Sequence, residues 1–379
     1  MDFRNDEMHE ELLAVYKEFA ESACAPIAAE LDEQERFPEE LLPTMAEMGL
    51  MGIPFPEEYG GTGMDELSYV QCVEEISKKC ASTAVTLSAH TSLGAWPIYH
   101  FGTEEQKKKY LPDLCSGKKL GAFGLTEAGA GTDAAGQKTV AEDKGDYYLL
   151  NGSKMFITNA AYADIFIVMA MTDKSQGTKG ISAFIIEKGM PGFSIGKKEH
   201  KMGIRGSNTC ELIFEDVKVP KENLLGPLGK GFAVAMTTLD GGRIGIAAQA
   251  LGIAEGALDV TIEYVKQRVQ FGKPIAAFQN TQFELAQMKA NTDAAKWMVY
   301  RAANAVDNGE PYTQFAAEAK LVASRNASDV TRRCLQLFGG YGYTREYPIE
   351  RMMRDAKITE IYEGTSEVQM MVIGGSLVR

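Results

Sequence analysis

The sequence predicts an α+β protein in three parts: a helical N-terminal domain (residues 1–118), a middle β domain (119–225) and a helical C-terminal domain (226–379). Three observations predict it. Helical periodicity dominates up to about residue 118, short β-type apolar runs fill Leu120 to Val219, and long alanine-rich helical patterns run from there to the end. At 379 residues the chain exceeds one ordinary core, and 45% hydrophobic with 24% charged residues is a common globular composition.

The elements follow in order. Glu10 to Glu33 reads as an amphipathic helix, with Leu12, Leu13, Tyr16, Phe19, Ala20 and Ala23 on one face. The Pro/Gly-rich loop Pro54 to Gly63 separates it from a helical stretch that begins near Asp65. Thr103 and Gln106 form a capping-box signature for the next helix. Thr139–Ala141 and Tyr147–Leu150 flank a charged turn and read as a hairpin. Ile165–Met171 and Ile181–Ile186 suit buried strands, and Glu211–Val219 is a strand interrupted at Asp216-Val217. After the glycine-rich Gly226–Gly231, the patterns Ala247–Tyr264, Thr281–Asn304 and Phe315–Phe338 have the length and alanine content of bundle helices. Leu239-Asp240-Gly241-Gly242-Arg243 is expected to open the first of these.

Charge and cysteine usage narrow the function classes. A net charge of −13 argues against nucleic acid or an anionic membrane surface as main partner. The start, Met1 to Glu7, is too acidic for a secretory or transit peptide. The longest apolar stretch, Ile244 to Ala254, is too short to insert in a membrane. Six scattered cysteines without a Cys-x-x-Cys pair fit free thiols in a reducing cytoplasm and give no metal site, and the four histidines lack metal-ligand spacing. Gly129-Ala130-Gly131-Thr132-Asp133-Ala134 matches a dinucleotide fingerprint in letters, but no βαβ unit surrounds it, and no P-loop run exists.

One carboxylate stands out. Ile349 to Ile361 is near helical spacing, Val368 to Leu377 resumes an apolar pattern with Thr365 as N-cap, and Glu363 falls at the break beside Gly364. On pattern alone this is a solvated cap. Held among apolar side chains, the same carboxylate would have a raised pKa and could act as a base.

The run Ile361-Tyr362-Glu363-Gly364-Thr365-Ser366-Glu367 resembles the catalytic segment of acyl-CoA dehydrogenases. The likeness extends from Met1 to Arg379 and runs to the short-chain, butyryl-CoA branch, including Gly121-Ala122-Phe123-Gly124-Leu125-Thr126 and Gly245 to Gly252. It implies a middle domain of β-barrel or sandwich type and a C-terminal four-helix bundle. It also implies that Glu363 removes the α-proton of an acyl thioester while the β-hydrogen leaves as hydride to FAD. The thioester carbonyl would be polarised by the backbone N–H of Glu363 and a flavin ribityl hydroxyl.

The resemblance further assigns cofactor contacts. Phe123, Leu125, Thr126 and Thr132 would face the flavin from the first strand and loop, and Phe156 and Thr158 from a second segment, Lys154 to Asn159. For Phe156 and Ile157, burial in an ordinary strand is an equally good reading. Arg268, Gln270, Phe271 and Gln279 would reach a neighbouring subunit's FAD, as would Gln336 and Gly340 at its adenine end. Gly339 to Gly342 would also close a helix. Thr365 and Glu367 match flavin contacts, while Thr132, Asp240, Arg243, Tyr362 and Gly364 line the CoA-ester side. An Arg near a helix N-terminus gains nothing from the helix dipole, which favours a role for Arg243 beyond the helix.

The implied partners are an acyl-CoA substrate, electron-transfer flavoprotein and identical subunits in a homotetramer, a dimer of dimers. Gly242 stands where isovaleryl- and long-chain-specific relatives carry the base, which supports a straight-chain substrate and a base at Glu363. A pocket floor is expected among Leu87, Ser88, Ala89, Leu93 and Trp96. The alternatives are a branched or other acyl-CoA, enoyl-CoA reduction in an anaerobe, a flavin oxidase of the same fold, and a non-catalytic scaffold. Loss of the base or flavin segments would mark the scaffold.

Overall fold

The computed structural model describes residues 6–378; Met1–Asn5, most of the acidic start Met1–Glu7, and the terminal Arg379 lie outside the described residues. The N-terminal part is helical as expected, with one correction. The amphipathic stretch is two helices, α1 (Glu7–Phe19) and α2 (Ala28–Gln34), joined by a π-turn at Ala20–Cys24. Pro26 forces the break, because it has no N–H to donate and its ring crowds the preceding turn. After α3 (Leu42–Glu47) comes α4 (Glu66–Lys79), capped by Asp65, which accepts from Ser68 N at 2.8 Å. Next are α5 (Ala81–Ser88), a π-helical segment Ala89–Ala95, α6 (Trp96–Phe101) and α7 (Glu104–Cys115). The capping box on α7 is present in both directions, Gln106 N to Thr103 Oγ1 at 3.3 Å and Thr103 N to Gln106 Oε1 at 3.0 Å.

The middle part is a single eight-stranded sheet. Its strands are β1 (Gly121–Gly124), β2 (Val140–Asp143), β3 (Tyr147–Thr158), β4 (Ile165–Met171), β5 (Ile181–Glu187), β6 (Phe193–Lys198), β7 (Thr209–Pro220) and β8 (Leu224–Leu225). The order is β6-β7-β3-β2-β4-β5-β8, with β1 parallel to β4. The sheet curls over itself in sandwich fashion, as Phe193 on β6 meets Phe166 on β4 with ring centroids 4.9 Å apart. β4 is buried on both faces: Phe166, Val168 and Ala170 fill the sheet interior, while Ile165, Ile167, Met169 and Met171 face the helices.

Three strand readings change. β3 continues through Lys154 to Thr158, β6 was not predicted, and the interruption at Asp216 is a bulge within β7. There the left-handed Asp216 (φ 54°) exchanges hydrogen bonds with Asn151, Oδ1 accepting from Nδ2 at 3.0 Å. β6 escapes the pattern because none of its residues is buried.

The C-terminal part begins with α8 (Gly231–Gln267), a 37-residue helix; Leu239–Arg243 lies inside it and does not open it. The short strands β9 (Val269–Gln270) and β10 (Lys273–Pro274) form a hairpin. They are followed by α9 (Gln279–Asp307), α10 (Thr313–Phe338), α11 (Ile349–Ile358) and α12 (Ser366–Leu377). α8, α9 and α10 pack together, α11 and α12 lie against α10, and α4 enters the same bundle beside α8 and α9. By length and composition α8 could cross a membrane, but 83% of its most apolar window is buried in this bundle, as for the core helix of a globular protein.

Two glycines let α4 approach α8. A Cβ at Gly252 would overlap the Glu74 carbonyl, and one at Gly256 would overlap the Lys78 carbonyl. Neither obstacle is a flexible side-chain tip. Gly252→Ala should therefore cost about 1–3 kcal/mol through overpacking, although alanine favours an isolated helix. Urea melts of the two proteins give the test, and equal or higher stability in the variant contradicts the packing argument.

Candidate active site

The π-helical segment Ala89–Ala95 joins the sheet to the bundle. A Cβ at Gly94 would stand 2.7 Å from Gly121 Cα, so backbone touches backbone where β1 starts. His90 reinforces the junction, with Nδ1 accepting from Gly121 N at 3.0 Å and Nε2 near Leu114 O at 3.2 Å. Burial pulls the imidazole down to about 4, so it is neutral, with the proton on Nε2. One residue before Gly94, Leu93 faces α8 at Gly242: a Cβ added there would stand 2.9 Å from Leu93 Cδ2. π-Helical bulges of this kind recur at functional sites.

The same missing Cβ makes room for Glu363, because a side chain at Gly242 would collide with Glu363 Oε2. Glu363 sits in the corner between α11 and α12 with a left-handed backbone (φ 53°), followed by Gly364 (φ 98°). α11 stops at Ile358, three residues short of the predicted end, and Thr365 caps α12 as predicted. The residue is part-buried as a whole, but Oε2 is shut off from solvent and has no hydrogen-bond partner among the described residues. Burial pushes the carboxyl up to about 7 against the opposing pull of Lys320 and Arg243. This is the environment of a base, not of a solvated cap.

Arg243 is buried on α8 and pairs through Nη1 with Asp240 Oδ1 at 2.5 Å; Thr313 donates to the other Asp240 oxygen at 2.7 Å. Arg243 lies at the thirteenth residue of α8, so the helix-terminus argument for it does not apply. Its position facing Glu363 rests instead on burial and charge, and its Nε is a second buried polar atom without a partner. Tyr362 donates to Gln249 Oε1, and the Gly364 carbonyl accepts from Lys320 Nζ at 2.5 Å and Gln369 Nε2 at 2.8 Å. Among the expected floor residues, Leu93 reaches Gly242 and Ser88 reaches Gly245. Leu87 is buried in the helical core, and Trp96 stacks on His100 at 3.8 Å.

The predicted flavin segments also converge. Met155 N donates to Thr126 O at 2.8 Å, which couples the loop after β1 to β3. The β3–β7 register shifts between Lys154 and Ile157, and Phe156 (φ 61°) is 57% exposed in mid-strand. An uncovered aromatic lifted by a bulge beside the Thr126 main chain suits a flat ring system. Phe123 lies on β1 and Leu125 is buried behind it, while Thr132 is exposed on the loop and Thr158 pairs with Thr209.

Beneath this loop Lys154 is fully buried and donates to Leu125 O (3.1 Å), Glu127 Oε1 (2.8 Å) and Gln137 Oε1 (3.0 Å). Burial lowers its ammonium to about 8, with Glu127 opposing.

The third group stands apart on the surface. Gln270, Phe271 (94% exposed), Gln279, Gln336 and Gly340 are exposed, and Arg268 is half-buried over the Tyr341 ring, 5.2 Å from its centroid. Stacking of Tyr264 on Phe338 holds the two segments side by side. Thr365 and Glu367 sit at the start of α12, with Glu367 exposed. No group of three or more His, Cys, Asp or Glu that could hold a metal ion occurs among the described residues. Sequence reasoning missed Lys320, Lys154, His90 and Tyr69, whose hydroxyl bonds Ser88 Oγ at 3.0 Å beside Gly245. A lysine in an otherwise small-residue helix face, as at Ala316-Ala317-Ala319-Lys320-Ala323, is a signal that could have found the first.

A helix–sheet–helix chain with an unpaired carboxylate and a buried arginine in its seam defines an enzyme scaffold suited to proton abstraction. The sequence matches the acyl-CoA dehydrogenase N-terminal domain over residues 6–118, the middle domain over 122–217 and the C-terminal domain over 229–378. It is 59% identical to a short-chain specific acyl-CoA dehydrogenase of Clostridium acetobutylicum across the full length of both chains. The butyryl-CoA dehydrogenase structure from Megasphaera elsdenii superposes with a TM-score of 0.98 at 56% identity, covering both chains completely. A chain from a structure described as the electron transferring flavoprotein of Acidaminococcus fermentans does so at 0.99 and 56%, again over both full chains. The chain belongs to the acyl-CoA dehydrogenase family, a family of flavoproteins.

A base that ionises near neutrality predicts a pH signature. With the Glu363 carboxyl at about 7, the free enzyme's kcat/KM should fall tenfold per pH unit below that value. A rate–pH profile flat down to about pH 5, near an ordinary carboxylate, contradicts the buried-base geometry.

Proposed function

We propose that this protein is a FAD-dependent short-chain acyl-CoA dehydrogenase that oxidises butyryl-CoA to crotonyl-CoA and passes the electrons to electron-transfer flavoprotein. The observation that carries the reading is the unpaired Glu363 Oε2 in the space left by Gly242. In this reading Glu363 accepts the α-proton of the thioester. Arg243 and Asp240 order the ester side of the seam, and Leu93 and Ser88 limit the acyl chain. FAD, when bound, would supply the two-electron acceptor for the β-hydrogen. Phe156, Thr158, Thr126 and Thr132 would hold its ring, with Thr365 and Glu367 at the corner after the base. The full-length identity to a short-chain specific relative supports the acyl length.

Substrate profile and base are tested together by anaerobic flavin bleaching with acyl-CoAs of graded length. Each methylene missing from the filled pocket forfeits about 0.8 kcal/mol of burial, and each one too many overpacks it. Peak kcat/KM is therefore expected at butyryl-CoA, with a fall at hexanoyl-CoA and a steep loss at octanoyl-CoA. A peak at octanoyl-CoA, or at a branched or dicarboxylic acyl-CoA, contradicts the short-chain reading. Glu363→Gln should keep FAD and lose bleaching by several orders of magnitude; near wild-type bleaching removes Glu363 as the base.

The assembly is proposed to be a homotetramer in the cytoplasm, with Arg268, Gln270, Phe271, Gln279, Gln336 and Gly340 completing a neighbour's FAD site. A guanidinium can clamp a pyrophosphate with paired donors, and an almost fully exposed Phe271 calls for a covering surface. Sizing chromatography should show a tetramer that carries the flavin, and a monomer with stoichiometric FAD overturns this arrangement.

A further inference from the structure

Lys320 is a lysine with no solvent exposure, on the inner face of α10. Lysines are almost never buried so completely without a strong partner. Its Nζ donates to the Gly364 carbonyl at 2.5 Å, and no carboxylate forms an ion pair with it within 4.0 Å among the described residues. A buried ammonium that settles on a carbonyl serves neither the bundle's packing nor an ordinary salt bridge. Leucine or methionine would fill the same volume without the desolvation cost.

What it touches is the carbonyl of Gly364, the residue after Glu363, where the backbone runs left-handed at two successive residues. For a residue other than glycine this conformation is strained, and it persists only where the surroundings impose it. Gln369 Nε2 supplies the second tether, reaching the same carbonyl at 2.8 Å. Gln369 is the more replaceable tether, since it caps the turn from within α12 itself, whereas Lys320 ties the corner to a different helix.

We propose that Lys320 is a positioning residue for the reaction: it clamps the Glu363–Gly364 corner to α10 and sets the electrostatic field in which the Glu363 carboxylate works. The inference rests on the reading of Glu363 as the base. Other groups contribute to that field and must be counted. Arg243, with its partner Asp240, faces the carboxylate from α8, Tyr69 faces it from α4, and Tyr362 adjoins it. Glu360 and Glu367 face Lys320 from the corner's own flanks. Of the two cations near Glu363, Arg243 already has Asp240 as an ion-pair partner, so Lys320 is the cation whose charge is not neutralised by contact. Burial lowers the Lys320 ammonium to about 8, against the pull of Glu363, consistent with an ammonium at neutral pH that has little else to hold it.

Two replacements of similar volume, each one atom shorter in reach, separate the clamp from the charge. Lys320→Met removes both donor and charge; Lys320→Gln removes the charge and keeps an N–H donor, set back by one bond. The readout is anaerobic flavin reduction by butyryl-CoA in the FAD-loaded enzyme across pH, with FAD content and melting temperature recorded alongside.

Loss of the positive charge makes Glu363 harder to ionise. The acid limb of both variants should therefore move to higher pH, by about one unit. The alkaline plateau should fall about tenfold in Lys320→Met through misplacement of the base, and recover in part in Lys320→Gln. A merely structural lysine would lower the melting temperature and leave the limb where it was. Wild-type limbs in both FAD-loaded variants overturn the proposal. So does a Lys320→Gln enzyme that cannot hold FAD, since a neutral donor should suffice for the fold. Failure of the functional reading looks different, because then butyryl-CoA does not bleach the wild-type flavin at all.

Discussion

A carboxylate oxygen shut away from water and left without a partner is among the more expensive things a protein can fold around, and the arrangement of this molecule follows from holding Glu363 Oε2 in that state. The side chain can occupy its place only because α8 presents Gly242 there. It points there only because the chain turns left-handed between α11 and α12. The opposite wall is the π-helical segment, whose Leu93 meets α8 while Gly94 lies against β1. Sheet, N-terminal helices and C-terminal bundle therefore meet at one seam, and the position of each fixes part of the surroundings of the same oxygen atom.

The charges elsewhere in the bundle show what ordinary burial looks like. Glu74 has no solvent exposure, yet it pairs with Lys296 at 2.7 Å and accepts from Tyr300 at 2.9 Å. Glu255 pairs with Lys78 at 2.8 Å in the same network, which ties α4, α8 and α9 together. Lys154 likewise has three acceptors around it. Each of these groups has exchanged water for partners. Glu363 has not, and the difference separates a charge that holds helices in register from one kept available for chemistry. Because its folded pKa stands above the usual carboxylate value, the ionised form costs stability as pH rises past the unfolded value, and that cost is relieved on acidification.

Much of this was legible in the residues, for reasons that can be named. The capping box at Thr103, the cap at Thr365 and the alternating and continuous apolar runs of β4 and β5 are local signals, and each appears where its pattern places it. The start of α8 was misplaced because glycines at 241 and 242 look like a helix boundary in sequence. In the fold they are interior positions of α8, and Gly242 is where the Glu363 carboxylate comes close. β3 was cut short because its outer half carries Lys154 and Phe156, a buried cation and an exposed aromatic, the reverse of strand patterning. Those inversions are the local conflicts that a functional site imposes on an otherwise consistent sequence. Glu363 was found by likeness to a family, whereas His90 makes its tertiary contacts with no sequence neighbour that reveals them, and Lys320 is marked only by the small residues around it on its helix face.

The surface completes the same logic. Interior glycines at 94, 121, 252 and 256 bring backbones together, and Gly242 makes room for side chains. The ends of α8 and α10 instead carry side chains that the single chain leaves uncovered: Phe271, Tyr343 and, with Arg268 over its ring, Tyr341. Aromatic and arginine side chains gathered on one exposed patch are the residue types that anchor protein interfaces. A site divided in the proposed way would tie catalysis to assembly. The proposed base and its clamp would belong to one chain's seam, with the far end of the cofactor held by another chain. Loss of the interface would then weaken cofactor retention before it disturbed the geometry around Glu363, because nothing that positions Glu363 lies on the exposed patch.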